Sequence, residues 1–400
     1  MSKPLLLLAA PSHESRDKAA HLRAAAESLG VPARIIVGDR SEVVEAMAGD
    51  EAIVLAIACS DALTLVAARL NERHGCGGLS VGLINQLADK ATGIPLLSQI
   101  FDLPLLPQCL PLTPEDIFGW LWSGPIIVKP TRSSGGWSPR PWGYRRFNSK
   151  DHFMRWLREE GLQTPFFAEQ RQPQALGPAL LQAALDGSCT EGAMLLLTAS
   201  QMHVIYRSHG YFELTGAGSV DGPRWRRACF HNNAAPDLIE NLPHLDRLRR
   251  RDPAWGRGIM NVHGIRGPDG LHLIDINLRL TTTWDWVAGV ADPTAHRRLL
   301  AALLFDAPLD LPLPAPVTVI DLVNGDPRRR IAAVEHLPVP PHILPVRLTA
   351  EDCGSPVGGF DKAGVMPCFV TLGADLATCT ADAERFRAGI RLHYADEIAR

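Results

Sequence analysis

The chain has 400 residues, a formal net charge of −3 and 46% hydrophobic residues. That length is too great for one compact core and predicts two or three domains, and the apolar fraction argues against a disordered chain. The near-balanced charge gives no electrostatic footing for nucleic acid or an anionic membrane as a partner. The eight cysteines are scattered with no Cys-x-x-Cys pair, so neither a disulfide framework nor a zinc site is indicated and reduced thiols are expected. No apolar stretch is long enough to span a bilayer. The opening run, Met1 to Ala10, is too short for a secretory signal and reads as a buried strand, so a cytoplasmic location is expected.

The first 86 residues alternate strand and helix patterns. Strands are predicted at Leu5–Ala10, Ala33–Val37 and Ala52–Ala58, with helices at Ser15–Leu29, Ser41–Ala48 and Asp61–Arg73. Such alternation predicts a small parallel sheet covered by helices. It holds no Gly-x-Gly-x-x-Gly, which argues against a dinucleotide site of that kind. The loop after the first strand carries His13 and Glu14, where ligands of open α/β sheets sit; a plain surface loop is the simpler reading.

Beyond Asn85, Leu87–Phe101 has helical periodicity. Thr113-Pro-Glu-Asp116 has the form of a capping box with Pro at the first helical position. Gly124–Pro130 reads as a buried strand, Ser149–Glu160 as an amphipathic helix and Pro165–Gln170 as a strand. Ala175–Val204 suits either helix or strands, with a strand expected at Met194–Leu197, and Met202–Tyr206 and Tyr211–Leu214 can pair across a turn at Arg207–Gly210. A helix is expected within Ala234–Arg251. The Pro-rich stretch from Pro308 to Pro345 suggests a linker or a loosely wrapped extension. A last unit offers a strand at Cys368–Leu372 and a helix at Ala381–Ala399.

Two segments carry chemistry. In His272-Leu-Ile-Asp-Ile-Asn-Leu-Arg279, period-2 geometry places Asp275, Asn277 and Arg279 on one strand face and Ile274, Ile276 and Leu278 on the other. A carboxylate beside an amide oxygen suits a hard cation such as Mg²⁺, and the Arg suits a phosphoryl group or an oxyanion. A half-buried strand with a solvated polar face is the plainer alternative. In Ile126-Ile-Val-Lys129-Pro-Thr-Arg-Ser-Ser-Gly-Gly136, a buried strand delivers Lys129 and enters a small-residue loop. Backbone N–H groups of Ser133, Ser134, Gly135 and Gly136 can approach phosphate closely. The order is not that of a Walker A loop. Lys90 precedes a helix, and Glu169 ends the strand read at Pro165–Gln170. Trp137, Arg140, Trp142, Tyr144, Arg145 and Arg146 after the loop suit either substrate contacts or a surface hairpin.

In this order the pieces resemble the ATP-grasp superfamily, over roughly Lys90 to Gly289. The resemblance implies a Rossmann-like preceding domain at 1–86, a two-subdomain α+β ATP-grasp domain at 87–305, and a small unit at 306–400. It implies that Lys90 and Lys129 contact ATP phosphates, that Ser133 to Gly136 form the glycine-rich lid, and that Glu169 opens the hinge holding adenine and ribose. Asp275 and Asn277 would hold Mg²⁺, and Arg279 would stabilise an acyl-phosphate or tetrahedral intermediate. Within the superfamily, Asn277-Leu-Arg279-Leu-Thr281-Thr282 is similar to an Asn-Pro-Arg-x-Thr-Thr branch that includes tyramine–glutamate ligase. Thr198-Ala-Ser-Gln201 and Phe212–Gly216 also resemble it. That branch implies a carboxylate–amine ligase in coenzyme biosynthesis of the methanofuran/tetrahydromethanopterin type, with small-molecule acid and amine substrates. A homodimer is compatible with it.

The sequence departs from the family at three places. Leu278 replaces a Pro. His263 stands where a second metal-binding carboxylate is usual, so that either one metal site is missing or Asp269 or Asp285 substitutes. Gln170–Pro173 lacks the usual aromatic and second acid. The His263 departure keeps open a catalytically altered nucleotide-binding homologue serving as a partner subunit. Carboxyphosphate chemistry is the third reading.

Overall fold

The computed structural model describes residues 3–132, 142, 145–172, 177–185, 189–213, 224–311, 315–323, 331–349 and 367–395. Leu5 to Leu8 are wholly buried, as expected of a parallel strand covered on both faces. Strands β1 (Leu5–Ala9), β2 (Ala33–Val37) and β3 (Leu55–Ala58) form a three-stranded parallel sheet with β1 in the centre. Helices α1 (His13–Ser28), α2 (Ser41–Ala48) and α3 (Thr64–Arg73) accompany it. The βαβ reading holds, although residues 61–63 form a separate 3₁₀ turn before α3.

The helix expected at Leu87–Phe101 is two helices, α4 (Val81–Ala88) and α5 (Lys90–Ile100). The break is Asp89, which is extended and whose carboxylate accepts the Ala91 N–H at 3.0 Å as an N-cap. Gly93 permits the tight junction, since a Cβ there would stand 2.5 Å from the Leu87 carbonyl oxygen. Pro95 has no N–H to offer the Ala91 carbonyl; the Gln108 side-chain amide donates to it instead, at 3.4 Å.

Strands β4 (Gln108–Cys109), β5 (Ile126–Pro130), β6 (Arg145–Phe147) and β7 (Ala179–Ala183) form an antiparallel sheet in the order β4–β7–β5–β6. Helices α6 (Pro114–Gly119), α7 (Lys150–Glu159) and α8 (Gln163–Arg171) share its core, built on Ile117, Val128, Phe153 and Phe166. Thr113 and Asp116 form the expected capping box. The strand read at Pro165–Gln170 is corrected: it lies within helix α8. Phe166 and Gln170, one turn apart, are both buried, and the Gln170 amide bonds the backbone of Ala179 at 2.6 and 2.8 Å.

The remaining strands are β8 (Cys189–Leu197), β9 (Met202–Glu213), β10 (Arg224–His231), β11 (Gly258–Gly267), β12 (Gly270–Asn277), β13 (Val317–Leu322), β14 (Ile331–Glu335), β15 (Ile343–Arg347), β16 (Cys368–Gly373) and β17 (Arg391–Tyr394). Eight of them form one sheet in the order β12–β11–β8–β9–β10–β13–β16–β15, and β14 pairs with β17. Helices α9 (Pro236–Glu240), α10 (Leu242–Arg249), α11 (Thr282–Ala291), α12 (Ala295–Phe305) and α13 (Leu376–Ala388) complete the chain. Three expectations change here. β9 runs straight through Arg207–Gly210 because β8 and β10 pair with it on either side. The Pro-rich stretch is no loose linker: β13 is entirely buried within the large sheet. The last helix begins at Leu376, capped by Asp375, and ends before Gly389 rather than spanning Ala381–Ala399. Among the described residues no helix is long and apolar enough to cross a membrane.

The large sheet is covered on both faces. Along β8, Met194 and Leu196 join the core shared with the parallel sheet, α11 and α12. Ala193, Leu195 and Leu197 join the core built with α4 and α5. The continuous apolar run of β8 is therefore period-2 burial on two sides. Arg227 and Asp321 tie β10 to β13, with Arg227 Nε and Nη2 donating to the carboxylate at 3.0–3.2 Å. The pair is 5% and 0% exposed. Asp321→Ala leaves that guanidinium buried without its main anion and is expected to cost about 3–5 kcal/mol in urea unfolding. The double change Arg227→Met, Asp321→Leu should recover most of it.

Candidate active site

β12 carries the polar face that the sequence defines, with one alteration. Its register against β11 shifts between His263 and Gly264, so that Asp275 opposes His263 while Leu273 opposes Gly264. Ile274 is thus the extra residue of a β-bulge. Ile276 and Leu278 still enter the core with Leu273, but Ile274 does not share their alternation. The bulge sets aside the Ile274 carbonyl, and Lys129 Nζ donates to that oxygen at 2.7 Å. Lys129, from β5, also donates to Gln182 Oε1 on β7 at 2.8 Å. Lys129 thus links the four-stranded sheet to the eight-stranded one.

Lys90 reaches the same point from α5, which packs on β12. Its backbone N–H donates to the Thr131 carbonyl at 2.8 Å, and its Nζ lies 3.0 Å from Asp275 Oδ1. Asn277 Nδ2 donates to Asp275 Oδ2 at 3.1 Å. Burial opposes the Asp275 charge, yet Lys90 and Lys129 hold its carboxyl below the ordinary range. Burial, reinforced by the Lys90 charge and opposed by Asp275, lowers Lys129 to about 7. Burial also lowers the His263 imidazole, so a neutral ring faces Asp275. Two buried amines thus share one carboxylate, and the direct acceptors of Lys129 are neutral. Such a site favours an anion.

Several buried polar atoms beside the amines have no hydrogen-bond partner among the described residues: Gln182 Nε2, Gln108 Oε1 and Thr131 Oγ1. They come from β7, β4 and the end of β5. A ligand with its own donors and acceptors would satisfy them. Asn277 presents its amide nitrogen to Asp275; with that amide turned over, its oxygen and the carboxylate would offer hard donors to one small divalent cation whose remaining positions are taken by water or phosphate oxygens. The neutral imidazole of His263 is a poor further ligand for such an ion.

Arg279, two residues beyond Asn277, turns toward the parallel sheet. Its Nε and Nη2 donate to Asp61 Oδ2 at 2.9 and 2.8 Å, just past the end of β3. Lys18 on α1 is 1% exposed; its Nζ contacts Leu280 O, Thr282 Oγ1 and Glu14 Oε1 at 3.2–3.5 Å. Burial and the nearby Arg279 lower its pKa. A second charged group therefore lies at the carboxyl ends of β1 and β3 and adjoins the first through Arg279. Cys59, beside it, is pushed up to about 12 by burial and is an unreactive thiol at neutral pH.

Lys90, Lys129, Asp275 and Asn277 converge as the motifs imply, and Arg279 borders them. Ser133, Ser134, Gly135 and Gly136 lie outside the described residues, as do Trp137, Arg140 and Tyr144. Glu169 sits on α8, not at a strand end. The strand beside β5 is β7, and its site residue is Gln182. Trp142 is buried against Phe166 and Arg145 stacks over Trp156 at 4.7 Å, so both pack within their own lobe. Asp269 sits by the β11–β12 turn, bonded to His272 at 2.7 Å, about 20 Å along the strand from Asp275 at the usual rise per residue. Asp285 is held by His21 and His296. Neither stands in for the carboxylate that His263 displaces. Glu14 pairs with Lys18. Gln182, Asp61 and Lys18 were not read from the sequence; only the i,i+4 spacing of Glu14 and Lys18 hinted at one of them.

No family model matches the chain, and no curated protein matches its sequence. Solved structures do match in shape. An L-amino acid ligase from Bacillus licheniformis superposes with a TM-score of 0.65 at 11% identity, covering 98% of this chain and 99% of that one. A carboxyaminoimidazole ribonucleotide synthase from Aspergillus clavatus, complexed with ATP, gives 0.64 at 12% identity over 96% and 97% of the two chains. The biotin carboxylase domain of Hydrogenobacter thermophilus 2-oxoglutarate carboxylase, with MgADP, ADP and bicarbonate, gives 0.65 at 12% over 98% and 91%. With the small parallel sheet followed by the large antiparallel one, the chain has the ATP-grasp fold.

The place of His263 depends on Gly192 of β8. A Cβ at Gly192 would stand 2.7 Å from His263 Nδ1 and 2.9 Å from the Val262 carbonyl oxygen. Gly192→Ala is therefore expected to destabilise the protein by about 1–3 kcal/mol through overpacking. Denaturant unfolding measures it; wild-type stability would show that β8 and β11 can separate.

Proposed function

We propose that this protein is an ATP-dependent ligase that activates a carboxylate as an acyl-phosphate and joins it to an amine, releasing ADP and phosphate. The observation that carries the reading is the junction of Lys90, Lys129, Asp275 and Asn277: two buried amines beside a carboxylate that an adjacent amide also contacts. The likeness in fold to an L-amino acid ligase and to an ATP-complexed synthase supports it.

In this reading Lys90 and Lys129 neutralise phosphate oxygens of ATP and spread the charge that develops during transfer. Gln108 and Gln182 offer the buried polar atoms for the nucleotide. Asp275 and Asn277 hold Mg²⁺, which supplies Lewis-acid stabilisation of phosphoryl oxygens when bound. Arg279, fixed by Asp61, stands between the phosphate end and the Lys18 region, so it can bind the carboxylate being activated. The acid and amine then enter from the carboxyl ends of β1 and β3. Ser133 to Gly136 are assigned the role of closing over the phosphates and excluding water. A setting in coenzyme biosynthesis rests on the resemblance of Asn277–Thr282, with Thr198–Gln201 and Phe212–Gly216, to the branch that includes tyramine–glutamate ligase.

The imidazole of His263 opposite Asp275, in place of a second carboxylate, favours a second reading, a nucleotide-binding homologue without turnover. One experiment separates them. Purified protein with Mg-ATP and mixed amino acids should release ADP only when acid and amine are both present. Nucleotide binding without ADP release supports the second reading, and release dependent on bicarbonate alone would replace both with carboxyphosphate chemistry. Asp275→Asn is expected to abolish the Mg²⁺ enhancement of ATP affinity in calorimetry; full enhancement in that variant would refute the cation assignment.

Lys129 yields a pH dependence. In the free protein its pKa is lowered from 10.5 to about 7. A phosphate placed against it favours the charged form and raises that value. Above pH 7 the nucleotide must therefore bind together with a proton, and affinity falls as pH rises. At pH 8, binding enthalpies in buffers of different ionisation heat should report uptake of most of one proton, and Lys129→Met should remove it.

A further inference from the structure

His21, Asp285 and His296 converge from three helices, α1, α11 and α12, outside the site above. His21 Nδ1 lies 3.1 and 3.3 Å from the two Asp285 oxygens, and His296 Nε2 lies 2.8 Å from Oδ1. The three ligand atoms all fall within 4.8 Å of one another. Asp285 and His296 side chains are 1% and 6% exposed, whereas His21 is 43% exposed. The group is thus a buried carboxylate and imidazole closed by one imidazole at the solvent boundary. Ligand atoms around a tetrahedral Zn²⁺ stand about 3.3 Å apart at the usual bond lengths of about 2.0–2.2 Å. The imidazole–carboxylate spacings of 2.8–3.3 Å are close to that value, and the two imidazole nitrogens lie within 4.8 Å of each other. Gly289, one turn beyond Asp285, bears no side chain against the His21 ring; a Cβ there would be 3.7 Å from His21 Cε1.

We propose that His21, Asp285 and His296 form a binding site for a divalent transition ion, Zn²⁺ foremost, distinct from the Asp275–Asn277 pair. Two imidazoles and a carboxylate suit Zn²⁺ and exclude Mg²⁺, which demands oxygen donors. Three protein ligands leave the fourth position to water on the exposed side of His21. The ion replaces the protons that otherwise sit between the rings and the buried carboxylate. It would clamp α1, which carries Lys18, to α11, which begins three residues after Arg279. Its role is to hold the parallel sheet against the phosphate end of the site.

The test is titration of the metal-depleted full chain with Zn²⁺ against a chromophoric chelator, with Co²⁺ as a spectroscopic substitute. The expected result is one ion per chain, visible bands of a four-coordinate Co²⁺ site, and a Tm raised by Zn²⁺ but not by Mg²⁺. His21→Gln, at the half-exposed position, should fold as the wild type yet bind at least about 100-fold more weakly, no less than outer-shell changes cost at zinc sites. His296→Gln should also lose the Co²⁺ spectrum. Failure to bind one equivalent at micromolar Zn²⁺ would overturn the proposal, as would unchanged binding in both variants. Neither result bears on nucleotide binding, which is measured separately with Mg-ATP.

Discussion

A buried lysine amine between two sheets organises this protein. Lys129 projects from one antiparallel sheet and ends on a backbone carbonyl of the other. That carbonyl is available because β12 inserts Ile274 as an extra residue. Removing an ammonium group from water is costly unless oxygen acceptors replace the lost solvation. Here the acceptors are Gln182, one strand away in the same sheet, and the bulge. The same inserted residue restores Ile276 and Leu278 to the core and turns Asp275 and Asn277 toward the amines. One local irregularity thus sets both the sheet-to-sheet contact and the direction of the polar face.

The parallel sheet is drawn into the same arrangement. Its apolar core is continuous with α11, α12 and the large sheet, so the preceding region is packed against the site rather than tethered to it. Where the cores meet, charge replaces hydrocarbon: Arg279 reaches Asp61, and Lys18 reaches the backbone that follows Arg279. Desolvation and the neighbouring Arg279 charge act together on Lys18. That combination is commoner at functional sites than elsewhere.

Much of this was legible because it follows simple periods. Asp275 and Asn277 share a face by the two-residue repeat of β12, which survives beyond the bulge, whereas Arg279 lies past the end of the strand and turns to Asp61. The βαβ alternation of the first region is equally direct. What failed had competing local signals. Pro165–Gln170 contains an apolar pair that suits a strand or a helix, and the tertiary partner, Ala179 bonded to Gln170, decides it. Glu169 went with it, so the residue beside Lys129 came from a strand with no acid at all. Arg207–Gly210 has turn-like residues, yet partners on both sides keep β9 extended. The prolines near the carboxyl end suggested a linker because a central strand rejects Pro. Pro345 lies on β15, the outermost strand of the sheet, where a missing N–H costs little. A single inserted residue such as Ile274 leaves no mark in composition or periodicity.

The contacts that build the site span great lengths of chain. Lys129 and Ile274 are 145 residues apart, and Lys18 and Leu280 are 262 apart. Arg347 reaches back to Asp17. Closing such loops must precede any return from the contacts themselves, which slows the search for the native topology. While the chain is being synthesised, the parallel sheet can form early, but the amines and the carboxylate meet only after β12 has emerged and docked. A chain that has not yet made β12 therefore cannot bring Lys90 and Lys129 together with Asp275.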